Sequence, residues 1–211
     1  MTDSISVKDS YPEPHRLSFP LEETRIKWLP MLLDTYFIAD KGVHEGIGRQ
    51  LKKGRKLACA KGCSTCCRAH TKIPVYPLEL TGLYWYITDK TQGDLRSKLR
   101  VSLENHGKGD PCPMLIEGTC AVHPMRPQAC RHFNVFDKVC EEGEDAYYTR
   151  REDVLTPIKR SRDEALSNML PFHKITSRSQ RREAMKTGLI HSHAHVLQEV
   201  EWALLSKRMI D

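Results

Sequence analysis

The chain has no long hydrophobic run. Nothing in its 211 residues approaches the roughly 20 apolar residues of a membrane-spanning helix. Aromatics are sparse, at 7%, and none interleave the basic clusters at the intervals on which nucleic-acid bases stack. Missing too are a glycine-rich phosphate loop, a G-x-S-x-G elbow, a Rossmann fingerprint and an H-E-x-x-H helix. Those absences remove the common signatures of nucleotide binding, serine hydrolysis and zinc proteolysis. The first ten residues, Met-Thr-Asp-Ser-Ile-Ser-Val-Lys-Asp-Ser, lack the basic start and apolar stretch of a secretory signal. The expectation is a cytoplasmic protein without membrane association, in a compartment that keeps thiols reduced.

Cysteine is absent before Cys59 and after Cys140, so all eight cysteines fall in one window. A four-disulfide framework suits a small secreted scaffold rather than a reducing compartment, and the adjacent pair Cys66-Cys67 does not suit one either. One or two of the eight could serve as small buried hydrophobes. The better use of so much sulfur is as ligand, because soft thiolates select zinc, Cu(I) and iron–sulfur clusters over hard cations.

The first group, Cys59, Cys63, Cys66 and Cys67, reads C-x3-C-x2-C-C. Two residues between Cys63 and Cys66 let two sulfurs converge from a tight turn, and Gly62 supplies backbone freedom for it. Adjacent side chains diverge in a strand. Cys66 and Cys67 therefore face one metal only where the backbone turns sharply. Otherwise they serve two positions, or one is a ligand and the other a reactive thiol. The second group, Cys112, Cys120, Cys130 and Cys140, reads C-x7-C-x9-C-x9-C, too wide for a zinc-ribbon knuckle and suited to ligands gathered by loops. Eight thiols make two four-coordinate sites, or one site with four thiols to spare. His70, His123 and His132 lie near in sequence; each alone reads as an ordinary histidine rather than a ligand. Four thiolates around Zn2+ or a [4Fe–4S]2+ core carry a net charge of roughly −2, which needs compensation when partly buried. Arg126 and Arg131 flank Cys130 and Arg68 follows Cys67, so these arginines are read as the balancing cations.

Cys59-Ala-Lys-Gly-Cys63-Ser-Thr-Cys66-Cys67, followed by Cys112-Pro-Met-Leu, Gly118-Thr-Cys120-Ala-Val-His123 and Arg126-Pro127-Gln-Ala-Cys130-Arg131, resembles a known family. It is the bacterial YkgJ-like cysteine-cluster family of zinc- or iron-chelating domains. The likeness spans about residues 57–140 and implies a chelating cluster formed by these cysteines, with iron–sulfur oxidoreductase as a further label. The chain departs from the family pattern in two places. Three residues rather than two separate Cys59 from Cys63, and His123 stands where tyrosine is common, leaving an extra nitrogen ligand open there. The cysteine-bearing part of the flagellin lysine methylase family is also similar.

Lys+Arg number 33 against 27 Asp+Glu, a net charge of +6. The basic clusters at 52–56, 159–162 and 178–182 are short. They are read as solvated helix faces rather than as a nucleic-acid footprint.

Prolines at 12, 14 and 20 mark residues 1–20 as a flexible arm, leaving 21–211 as a single domain. Within it a cysteine core over 57–140 is flanked by an N-terminal helix over 30–54 and C-terminal helices between 156 and 207. Pro30 opens the first helix, with Leu33, Tyr36, Phe37, Val43, Ile47 and Leu51 recurring at helical spacing. Residues 72–76 are extended, Pro77 opens a helix, and Asp94 N-caps the next. Glu117-Gly118-Thr119 makes a short hairpin and Pro127 starts a helical turn. The last helices run over 156–170 and 188–207. In the second of these, Leu189, His193, Val196, Leu197, Val200 and Leu204 form one stripe, and His191 and His195 share a face. The fold class is mainly α, with helices around an irregular metal-binding centre and at most a short β-hairpin.

The function expected is chelation of zinc or iron, with [4Fe–4S] among the candidates and no catalytic residue assigned. An iron–sulfur oxidoreductase or electron carrier is the alternative, and a nucleic-acid-binding metalloprotein the next. A protein partner stays open.

Overall fold

The computed structural model describes residues 11–209. Its organising element is helix α2 (Leu29–Leu51), which follows the short α1 (Pro20–Arg25). Pro30 lies in the first turn of α2, and Leu29, Leu32, Leu33, Tyr36, Ala39, Val43 and Ile47 recur at helical spacing and are buried. Gly42 and Gly46 let neighbours press onto the same helix. A Cβ on Gly42 would stand 2.5 Å from the Cβ of Ser161, and one on Gly46 3.1 Å from Cδ1 of Leu155. Ser161 belongs to the helix Lys159–Met169 (α8 below), which runs along α2.

Helix α3 (Thr65–Ala69) follows the first cysteines and β1 (Pro74–Val75) follows it. Helix α4 (Pro77–Lys90) opens at Pro77, where the Glu79 carboxylate accepts the Tyr76 N–H at 3.0 Å. Helix α5 (Gly93–Asn105) begins just before Asp94, so Gln92 and not Asp94 is the N-cap. Asp94 instead sits in the first turn, where the helix dipole favours a negative charge, and pairs with Lys98 at 2.7 Å. The hairpin joins β2 (Leu115–Ile116) to β3 (Thr119–Cys120) through Glu117 (φ 49°) and Gly118 (φ 78°). Two consecutive positive φ angles match the twist that tight hairpins require. Helix α6 (Gln128–His132) follows Pro127, and α7 (Ala146–Thr149) precedes α8 (Lys159–Met169). The molecule is mainly α, as the sequence suggests.

The C-terminal third differs from its expected form. Helix α9 (Arg178–Thr187) carries the 178–182 basic cluster, as a solvated helix face would, and Ser177 caps it by accepting the Gln180 N–H at 3.2 Å. Gly188, at φ 69°, ends it. Beyond that glycine there is no 188–207 helix. A 3-10 turn (Leu189–His193), strand β4 (His195–Val196), another 3-10 turn (Leu197–Glu199) and α10 (Trp202–Ser206) take its place. β4 pairs antiparallel with β1, Pro74 opposite Val196. The Gln198 side chain locks this arrangement, accepting from Ile73 N at 3.1 Å and donating to the His70 carbonyl at 2.8 Å. The expected stripe is dispersed: Leu197 is buried but Leu204 is 61% exposed.

The N-terminal stretch is anchored from Tyr11 onward, while the rest of the expected arm, residues 1–10, lies outside the described residues. Leu17 and Phe19 pack against the main core and Tyr11 against a second cluster of Val43, Ile47, Phe136 and Leu155. Arg16 pairs with Glu23 at 2.8 Å and with Asp34 at 2.5 Å. The basic cluster at 52–56 lies past the end of α2 rather than on a helix face. Gly54 there has φ 82°, and Arg55 donates to Asp137 and to the Glu152 carbonyl, both at 2.7 Å.

Candidate metal centre

The ladder beside α2 places the first thiol. Ala58 N–H donates to the Val135 carbonyl at 2.8 Å, Asp137 N–H to the Lys56 carbonyl at 2.7 Å, and Leu57 bridges Phe136. Cys59 is thereby set against Val135, whose N–H donates to the Cys59 sulfur at 3.3 Å. Gly62, at φ 85°, turns the chain so that Cys63 stands exposed. Cys66 and Cys67 then fall in α3, where neighbouring side chains are about 100° apart. The Cys66 thiol is hydrogen-bonded to the Cys67 thiol.

Main chain ties the two cysteine groups together, since Cys112 N–H donates to the Cys67 carbonyl at 2.8 Å. Cys112 is buried in front of the hairpin, and Cys120 lies within β3, opposite Leu115. The Met114 N–H reaches the Cys112 sulfur and the Val122 N–H the Cys120 sulfur, each from two residues on. Such bonds favour the thiolate. Cys130 rides on α6, whose first N–H, that of Gln128, donates to Glu79 at 2.7 Å. Cys140 accepts from Arg150 Nη2 at 3.4 Å.

All eight cysteines are free thiols. The charges of Cys112, Cys66 and Cys120 act on Cys130, whereas those of Cys63, Cys66 and Cys140 act on Cys59. Burial pushes Cys59 up to about 11 and Cys112 to about 12. It raises Cys120, Cys130 and Cys140 as well, while Cys66 is raised first by its bond to Cys67 and then by burial. These six thiols are therefore protonated near neutral pH, and a cation that binds them must displace protons. Among the described residues, no three His, Cys, Asp or Glu side chains stand as a finished ligand set. The sulfurs are gathered but not converged. Soft, reduced donors in this number fit zinc or iron.

Arg131 is 3% exposed. It pairs with Asp40 at 2.6 Å, donates to the carbonyls of Pro124 and Arg126, and stacks its guanidinium 4.0 Å from the Tyr36 ring centre. It thus fixes the loop before Cys130 from behind. Arg126 donates to the His123 carbonyl at 3.0 Å and bonds Tyr11. Both arginine charges lower Cys120 against the effect of burial. Desolvation and then the charges of Arg126 and Arg131 press His123 down to about 4, which leaves a neutral imidazole.

The other histidines have separate occupations. His70 Nε2 lies 3.1 Å from an Asp145 oxygen, with its ring edge-on to Phe133. His132 is pressed to about 4, chiefly by burial. His191 meets the Tyr76 hydroxyl at 2.8 Å and His193 stacks on His173. His191 and His195 share no helix face, because β4 and a 3-10 turn occupy that stretch. The sequence reading missed Glu79, Asp40 and Arg150. No spacing rule points to Arg150, ten residues past Cys140. Glu79 carries a signal only as the third residue after a helix start.

No curated protein and no solved structure matches the chain. A family model, CxxCxxCC, described as "Putative zinc- or iron-chelating domain", matches residues 58–169, more than half of the chain. That span holds all eight thiols and the loops that gather them. The chain belongs to the CxxCxxCC family of zinc- or iron-chelating domains.

Proposed function

We propose that the protein holds its zinc or iron through four thiolates, those of Cys66, Cys112, Cys120 and Cys130. What supports this reading is that the charges of Cys112, Cys66 and Cys120 each raise the Cys130 thiol pKa, behind the larger effect of burial. The four come from three separately folded pieces, α3, the hairpin segment and α6. Cys112 and Cys120 already accept backbone N–H groups. Arg126 and Arg131, beside Cys120, offset part of the negative charge that four thiolates bring. Cys67 serves as the hydrogen-bond partner of Cys66 and packs against the core.

A [4Fe–4S] cluster, with an electron-transfer role, is the second reading. Such clusters are held by cysteine thiolates, and all eight cysteines here are free thiols. Purification without oxygen, followed by metal analysis and an absorption spectrum, tests both. A colourless protein with zinc supports the first reading. A brown one whose visible absorption bleaches on reduction supports the second. Undiminished metal content in Cys112→Ser and Cys130→Ser contradicts the four-thiolate set.

A further inference from the structure

The chain's positive charge is unevenly placed. Residues 171–195 carry five Lys and Arg against the single carboxylate of Glu183, so this short segment holds +4 of the net +6. Its centre is α9, and that helix is firmly held. The capping box of Ser177 and Gln180 fixes its start, while Ala184 is buried in the main core and Met185 packs against it. The turns that enter and leave the helix are pinned together. His173, at the end of a 3-10 turn (Leu170–His173), stacks on His193 with ring centres 4.6 Å apart. On the outer side Arg178, Arg182 and Lys186 recur every four residues and are exposed, a ridge whose members stand about 6 Å apart along the axis. Arg181 lies beside them, half-buried, and Lys174 is exposed just before the helix. Among the described residues none of these five cations has a carboxylate within ion-pair distance. On α8, by contrast, Asp163 pairs with both Lys159 and Arg162.

We propose that the outer face of α9, through Arg178, Arg182 and Lys186 with Arg181 and Lys174 at its margins, docks on the phosphodiester backbone of a double-stranded nucleic acid without reading its sequence. In the free molecule this face is solvated, as the sequence suggests; the unpaired ridge is what gives it a partner. A protein interface is built around an apolar centre, and a membrane-binding helix turns its apolar side to the lipid. The apolar side of α9 is taken up by the protein's own core. Three of the five cations are arginines, whose planar fork matches phosphate oxygens in pairs. Single strands are held largely by bases stacked on aromatic rings, and α9 carries no aromatic residue. A duplex needs none, because cations that neutralise its phosphates release condensed counterions.

The test uses the full chain, reduced, and fluorescent DNA and RNA duplexes of about 20 base pairs, titrated over a range of salt. Both duplexes bind, and the association constant falls about 40-fold between roughly 50 and 200 mM salt, as for about three neutralised phosphates. Arg178→Gln combined with Arg182→Gln lowers the logarithmic salt slope by about two and leaves the melting temperature and metal content unchanged. Lys52→Gln combined with Lys53→Gln removes the same charge at the end of α2, where both lysines are exposed, and keeps the wild-type slope. A slope unchanged in the arginine variant, or reduced alike in both variants, overturns the assignment to α9. No binding at the lowest salt overturns the proposal. Tighter binding to phosphatidylserine vesicles or to polyglutamate than to either duplex also overturns it, in favour of a membrane or an acidic protein.

Discussion

Glu79 is fully buried, and its two carboxylate oxygens accept the N–H groups that open α4 and α6. It therefore holds the helix carrying Cys130 against the helix beside it. Burial is the leading cause that lifts its pKa to about 7 from 4.5, against the downward pull of its two amides and Arg131. The protonated form is favoured by folding. The stability this group contributes is thus fully present below about pH 4.5 and is lost as pH rises through about 7, a change on the order of 3 kcal/mol. Glu79→Gln should remove that slope from urea-unfolding free energies measured across this range. It should also cost about 1–3 kcal/mol, because the new amide turns a donor toward a donor. Parallel pH curves for variant and wild type would contradict the assignment. At this scale the cysteines were legible in the sequence, and so was the loop of Arg126 and Arg131. The partner of Arg131 was not, because Asp40 lies on α2, 91 residues away. Arg150 gave no signal, because its role depends on Glu144 and Asp153 turning it onto Cys140.

At the scale of elements, two short features decide how helices meet. Gly42 lets α8 come close enough that a methyl group would overlap the Ser161 Cβ. Gly42→Ala should force α2 and α8 apart and cost about 1–3 kcal/mol, read as a lower melting temperature. An unchanged melt would mean that the helices shift freely. Ser177 caps α9, and Ser177→Ala should cost about 1 kcal/mol. Helices opened by proline, α2 and α4, were legible because Pro30 and Pro77 precede clear apolar periodicity. The stretch after Gly188 was not. Its leucines fall at helical intervals by coincidence, while the left-handed glycine, the β1–β4 pairing and the Gln198 bonds decide its path. The capping box Ser177-x-x-Gln180 and Gly188 together were the signal for α9.

For the whole molecule, the described residues divide into a large core around α2, α4 and α5 and two small clusters beside the first cysteines. The loops carrying thiols bridge these clusters and contain little regular structure, and in the proposed four-thiolate centre a bound ion would do the work there that an apolar face does elsewhere. Structural zinc contributes about 10–16 kcal/mol of apparent binding energy, comparable with the roughly 5–15 kcal/mol net stability of a domain. A strong chelator should therefore lower the melting temperature sharply, and returning zinc or iron should restore it. The central claim is that sulfur alone binds the metal. X-ray absorption at the edge of the bound metal tests it most directly. A first shell of sulfur, at about 2.3 Å for zinc, is the predicted result; a shell dominated by nitrogen or oxygen would contradict the account.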